Sequence, residues 1–386
     1  MVSEGLARSV YVHAPFCARR CTYCDFSVVV SRTGDPEGWL AALEGEITLR
    51  EREGTIPLAP VLDTLFIGGG TPSILGPSAM KGLGRILGVS RLDNPELEWT
   101  AEANPESFSQ EVAEEWARAG LNRISLGAQS FQEGPLKWMG RLHGPEGPAG
   151  AVRRAKTVGI KNVSLDLMFG LPGKVERDWR GDLDAAVALD VPHLSLYGLT
   201  AESGTPLGRS VAEGRTRPVS DERYREEFLL ASEHLTRAGF HHYEVSNFAL
   251  PGFESRHNRA YWRRLPYLGL GNSAHSFRHP VRRWNMKGWS EYQNTVREGR
   301  NPTQEEERLT PQAVRLETIW LGLRTDSGIP LLDLSARGRS LVGMWAKRGW
   351  AVLDSETLRL TSEGWLLLDQ LAVELDCAEE AVPTVP

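Results

Sequence analysis

Residues 13–27 read HAPFCARRCTYCDFS. Three of the chain's four cysteines, Cys17, Cys21 and Cys24, fall here with the spacing C-x3-C-x2-C, and the fourth, Cys377, lies near the far end. So few cysteines, crowded in one place, are not a disulfide framework. Thiolates favour soft metals and metal clusters, so the stretch reads as a ligand loop. A structural zinc site wants four ligands, usually on paired C-x2-C arms. Here His13 or Cys377 would have to be the fourth. A [4Fe–4S] cluster held by three thiolates instead leaves one iron open to a small molecule.

Composition bounds the setting. The 386 residues allow one large domain and a smaller one, and 24% charged residues is ordinary for a soluble globular protein. A formal net charge of −6 does not favour a general nucleic-acid binder. No apolar run approaches the ~18 residues of a membrane-spanning helix. The N-terminus has no basic region leading into an apolar core, so no secretory signal is expected and a cytoplasmic location is.

Working outward from the cysteines, short β-branched or apolar runs at 9–13, 64–68, 97–102, 123–127, 163–168 and 193–197 alternate with helix-like stretches such as 36–50, 110–119 and 175–189. Ser109 is placed to cap the second of these helices and Gly120 to end it. Such alternation predicts an α/β fold with a parallel sheet, here a partial (β/α)6 barrel. FIGGGTP, TAEANPE, SLGAQSF, LDLMFGLPG and SLYGLT each put polar or glycine residues at a strand end, where parallel barrels carry their sites. Helix-like stretches are also read at 220–237, 311–323 and 361–375, with a hairpin at 349–360. The acidic 298–308 reads as a linker, which divides the chain into a barrel with an aromatic and basic segment (1–300) and a smaller helical, winged-helix-like domain (301–386). The tail from 378 onward is expected to fray, with Cys377 a free thiol beside it.

The cysteine spacing, with Tyr23 just before the third cysteine, resembles the radical SAM superfamily. Together with YVHAPFC, FIGGGTPS, AEANPE, NRISLGAQSF, DLMFGLPG and HNRAYW, it resembles the oxygen-independent coproporphyrinogen III oxidase-like branch over nearly the whole chain. The resemblance implies a [4Fe–4S] cluster on Cys17, Cys21 and Cys24, with S-adenosylmethionine (SAM) at the open iron. It implies that Gly69, Gly70 and Thr71 contact the amino acid end of SAM. It further implies that Glu102 binds the amine, that Gln129, Arg141 and Asp166 surround the ribose and carboxylate, and that Tyr11 and Tyr23 lie near the cluster. Tyr11 reads equally well as an ordinary strand aromatic.

Two functions compete inside this branch. One is the dehydrogenase that decarboxylates coproporphyrinogen III in heme synthesis. The other is a heme chaperone that delivers heme to respiratory hemoproteins. The dehydrogenase pattern carries a further cysteine two residues after the third, and Phe26 stands at that place. The chain also reaches Tyr11 with no room for the dehydrogenase's N-terminal extension. The segment His257-Asn258-Arg259-Ala260-Tyr261-Trp262 matches an HNxxYW motif that the resemblance links to heme binding. A neutral imidazole can ligate heme iron, and nearby arginines (Arg256, Arg259, Arg263, Arg264, Arg282, Arg283) suit propionates. The alternatives are a hydrogen-bonded structural histidine and, for the arginines, a solvated basic loop or an RNA contact. The expectation is a heme chaperone without coproporphyrinogen dehydrogenase activity. Its partners would be heme or porphyrin, recipient hemoproteins at the inner face of the membrane, and an electron donor if SAM is cleaved. His241 and His242 are read as structural. Ser273, where the family carries glycine, receives no role.

Overall fold

The computed structural model of the chain describes residues 5–380. The very start of the N-terminus and the end of the tail therefore lie outside the described residues. All six expected strands form, as Ser9–Ala14, Thr64–Gly69, Glu98–Ala103, Arg123–Gln129, Asn162–Phe169 and His193–Gly198. They pair in that order, every neighbour parallel. Outward residues such as Val10, Val12, Leu65 and Ile67 are fully buried in the same core as Trp39 and Leu43 of the Pro36–Glu53 helix. The other strand face points into the barrel and is largely polar, since side chains alternate with period two. Ser125 there reaches Asp166 at 3.0 Å, and Ser164 reaches His193 at 2.7 Å.

The helices end where local chemistry dictates. Ser109 accepts a hydrogen bond from the Val112 N–H at 3.2 Å to open Gln110–Ala119, and Gly120 closes it at φ 107°. The stretch read as helix from 175 starts later, at Trp179, because Asp178 is its cap.

The sheet is wider than expected. Among the described residues it has 12 strands and its ends do not pair, so the barrel is open. Beside the first strand lie Tyr267–Leu270, His275–Arg278, Val281–Asn285 and Thr303–Arg308; beyond the sixth lie Asn247–Ala249 and His241–Glu244. The acidic segment 298–308 is therefore not a linker. Glu305, Glu306 and Glu307 lie in an edge strand opposite Trp284, Arg283 and Arg282, and the sheet runs past residue 300 to Arg308.

The C-terminal module is three main helices, Pro311–Arg324, Ala336–Lys347 and Leu368–Glu380, with a 3-stranded sheet. The helix expected at 361–375 is instead two, Ser362–Trp365 and Leu368–Glu380. Cys377 accordingly sits exposed on a helix, not in a tail. The module covers the His241–Glu244 edge through a Glu244–Thr325 bridge and an Arg324–Glu244 ion pair of 2.8 Å. His242 is buried between Phe248 and Trp365, while His241 faces solvent. Ser273 adopts φ 61°, the left-handed conformation that glycine favours.

One buried carboxylate ties the first helix to the far edge of the sheet. Glu46 accepts from the Gly271 N–H (2.8 Å), the Asn285 amide (2.7 Å), the Tyr292 hydroxyl (2.7 Å) and Arg50 (3.1 Å). Glu46→Ala leaves Arg50 and these donors buried without their acceptor, so we expect a loss of about 3–5 kcal/mol in chemical denaturation. A loss under about 1 kcal/mol would mean that the cluster is not structural.

Candidate functional site

The cysteine loop lies over the C-terminal end of the barrel. A cavity of about 440 Å³ opens there, lined by Cys17, Cys21, Tyr23 and Cys24 on one side. Gly69, Gly70, Thr71, Glu102, Gln129, Arg141 and Asp166 line the other. Every residue expected at the cluster or SAM is thus brought to one hollow except Tyr11. Tyr11 lies one layer deeper, stacked on Phe66 with its hydroxyl 3.1 Å from His13 Nδ1.

A chain of hydrogen bonds fastens the loop to three strand ends. Arg141 donates to Cys21 Sγ at 3.7 Å, to the Gly127 carbonyl at 2.8 Å and to Asn104 Oδ1 at 2.6 Å. Asn104 donates to Thr71 Oγ1 at 3.2 Å, and Thr71 Oγ1 lies 3.4 Å from Cys17 Sγ. Burial pushes the Cys17 thiol up to about 11, which a bound cation would reverse by holding the thiolate. Among the described residues no three His, Cys, Asp or Glu side chains converge on a point that suits a single metal ion. His13 is not a fourth ligand here. It is buried, its ring nitrogens meet the Tyr11 hydroxyl and the Ser27 carbonyl (3.1 Å), and burial lowers its pKa to about 4. Cys377 lines a different hollow. Three thiols without a fourth donor suit a cluster with one open iron better than zinc.

The rest of the hollow fits a cationic, hydroxyl-bearing ligand. Burial, with Asp166 nearby, raises Glu102 to about 8, and it accepts a hydrogen bond from the Gly69 N–H at 3.1 Å. Burial raises Asp166 to about 6, against hydrogen bonds from Ser125 and Ser195. Gln129 takes φ 65°, and its buried Oε1 has no partner among the described residues. At Gly70 a Cβ would sit 2.7 Å from the Phe16 carbonyl, so only glycine lets these backbones approach. Asn104, Ser125 and Tyr197 also line the cavity without having been singled out. Asn104 and Tyr197 stand inside AEANPE and SLYGLT, so their signal was present in the strand-end motifs.

The HNRAYW segment is elsewhere. It forms the helix Arg256–Trp262, capped by Ser255. The backbone N–H groups of Arg256 and His257 each donate to the Glu98 carboxylate at 3.0 Å. Glu98 and Thr64 begin their strands, so this helix closes the barrel end opposite the cysteines. His257 is 1% exposed. Its Nδ1 lies 2.7 Å from Thr64 Oγ1 and its Nε2 2.8 Å from the Tyr261 hydroxyl. Burial lowers its pKa to about 3. Both ring nitrogens meet hydroxyls here, which favours the structural reading of His257; ligation of heme iron would require one of these contacts to break. Most of the nearby arginines are also paired: Arg259 with Asp326, Arg264 and Arg282 with Glu317, and Arg283 with Glu306.

His257→Ala strands two buried hydroxyls and opens a cavity. We expect it to lower stability by about 2–4 kcal/mol while leaving the Soret maximum of added hemin unchanged. A shifted Soret maximum with an unchanged melting temperature would restore His257 as a ligand.

Comparisons with known proteins give the family. Residues 11–186 match the family model described as the radical SAM superfamily. The chain is 36% identical to the heme chaperone HemW of Mycobacterium tuberculosis, over 95% of this chain and 94% of that protein. It is 34% identical to HemW of Escherichia coli, over 96% and 98%, and 33% identical to HemW of Bacillus subtilis, over 93% and 97%. Among solved structures, coproporphyrinogen III oxidase (HemN) from Escherichia coli shares the fold, with a TM-score of 0.80 and 22% identity over 97% of this chain and 90% of that one. The chain belongs to the radical SAM superfamily, and within it to the family of the HemW proteins.

Proposed function

We propose that the chain is a heme carrier that holds a [4Fe–4S] cluster and SAM at the open end of its barrel and passes heme to respiratory hemoproteins. The observation that carries this reading is identity of 33–36% to HemW proteins over nearly the full length of both chains. In this reading Cys17, Cys21 and Cys24 hold the cluster. Gly69, Gly70 and Thr71 let the backbone approach the amino acid end of SAM, and Glu102 meets its amine. Arg141 meets its carboxylate, and Gln129 and Asp166 face the ribose, while Tyr23 walls the cluster side. When bound together, cluster and SAM supply one-electron chemistry. The residues around them orient SAM and keep water out. Phe26, 56% exposed at the mouth of the cavity, stands where the dehydrogenase pattern has a further cysteine. No helix among the described residues is long and apolar enough to cross a membrane, so any station at the inner membrane face would be peripheral. An electron donor belongs to the proposal only if SAM is cleaved, and nucleic acid does not belong to it.

The test is transfer. The reconstituted protein loaded with hemin should release it to an apo-hemoprotein. With its cluster reduced, and given SAM and coproporphyrinogen III without oxygen, it should form no protoporphyrinogen. Catalytic protoporphyrinogen formation would make it the decarboxylating enzyme instead. Glu102 gives an independent check. Its folded pKa of about 8 lies above the ordinary 4.5, so folding favours the protonated form. That stabilisation is present below pH 4.5 and fades as pH rises through 8. Without SAM, Glu102→Gln should therefore raise the melting temperature more at pH 8.5 than at pH 5. The same change should weaken SAM binding by roughly tenfold to a hundredfold, as expected for losing a charge-assisted hydrogen bond. Equal melting shifts at both pH values, or unchanged SAM affinity, would remove Glu102 from this role.

A further inference from the structure

At the closed end of the barrel the Arg256–Trp262 helix and the C-terminal module enclose a second cavity, of about 500 Å³. Its module wall is largely apolar, built from Ile319, Leu321, Ile329 and Leu334, and it also carries Thr318, Arg315 and the carboxylates of Asp333 and Glu379. At Gly322 a Cβ would lie 2.8 Å from Ile329 Cγ1, so the glycine lets Ile329 pack against this helix. The cavity's opposite wall is the Arg256–Trp262 helix, with Arg259 and Trp262, and the turn that follows it, with Arg263 and Arg264.

Two groups on that opposite wall lack partners. The buried Nε1 of Trp262 has no acceptor among the described residues, and the ring is held by the Arg324 guanidinium 4.6 Å from its centroid. A buried N–H without an acceptor is costly, and a ligand oxygen would satisfy it. Arg263 is exposed and makes no ion pair among the described residues. Its neighbours differ, since Arg259 has Asp326 at 3.5 Å, Arg264 has Glu317 at 3.0 Å, and Arg315 has Asp376 at 2.7 Å. A largely apolar slot whose described lining has four arginines against two carboxylates, with one unpaired N–H and one unpaired guanidinium, suits a flat apolar body with carboxylates at its edge. None of the described lining residues is His, Cys, Met or Tyr, the side chains that ligate heme iron.

We propose that this cavity is the heme seat, in which the module's largely apolar wall packs on the macrocycle while Arg263 and the Trp262 N–H take its propionates, and the iron receives no ligand from the lining. The inference rests on the heme-carrier reading. It places heme at the opposite end of the barrel from the cluster and SAM. Without a lining ligand, the iron stays open to a histidine of the recipient, so handover need not break a bond to this chain. It also gives the C-terminal module a part in the site as one of its walls.

The test is a hemin titration of the cluster-loaded protein, followed by its Soret band, on the wild type, Arg263→Glu and Ser327→Trp. Both substituted residues are exposed, and iron content and melting temperature check that the variants stay folded. Arg263→Glu replaces the free cation by an anion, and Ser327→Trp sets an indole in the lining. Each should weaken hemin binding about tenfold or more. Iron-free protoporphyrin IX should displace hemin from the wild type at similar concentrations, and its dimethyl ester should not. Wild-type affinity in both variants would overturn the cavity while leaving heme binding in place. Failure of protoporphyrin IX to displace hemin would show that iron ligation dominates, and would also overturn it. A wild type that binds no hemin at all would bring down the heme-carrier reading and this seat with it.

Discussion

The candidate cluster site depends on Arg141. Its guanidinium bonds at once to Cys21 Sγ, to the Gly127 carbonyl and to Asn104, and Asn104 passes the connection through Thr71 to Cys17. Two of the three thiols are thus tied to strand ends of the barrel, Cys21 by the planar Arg141 guanidinium and Cys17 through the Thr71 hydroxyl. The cysteine loop also holds to the first strand's end through the pairing of Phe16–Cys17 with Val29–Val30. A ligand loop carried on such supports presents its sulfurs to one side, the side on which Glu102, Asp166 and Gln129 wait.

The barrel's polar interior makes its two ends unlike. At the cysteine end it opens into a hollow whose carboxyl groups are held well above their ordinary pKa by burial. At the other end Glu98 takes the first N–H groups of the Arg256–Trp262 helix, where a negative charge complements the helix terminus. That contact, with His257 on Thr64 and Tyr261, turns the helix into a plug. The plug's outer face then becomes a wall against the C-terminal module. Two separate hollows, one at each end, follow from that closure.

The six parallel strands and the site at their ends were legible because apolar runs ending in Gly, Glu, Gln or Asp leave a plain record. The edge strand Thr303–Arg308 was not, since an edge strand bearing charges outward has the composition of a solvated linker. Tyr11 and His257 show a second limit. Motif resemblance places a residue near a ligand, but hydrogen-bond saturation and depth depend on partners distant in sequence, such as Thr64 for His257. The pairing of the arginines was equally hidden, because Glu317 lies 53 residues from Arg264 and 35 from Arg282, and Asp326 lies 67 from Arg259. Ser273 did carry its signal: a position where the family has glycine proved to be left-handed.

The most direct test of the central claim, that one hollow holds both a three-cysteine cluster and SAM, is electron paramagnetic resonance of the anaerobically reconstituted and reduced protein, with and without SAM. The account predicts about four irons per chain and a reduced [4Fe–4S] signal whose g values move when SAM is added, because SAM binds beside the open iron. Zinc in place of iron, or a cluster signal indifferent to saturating SAM, would contradict it.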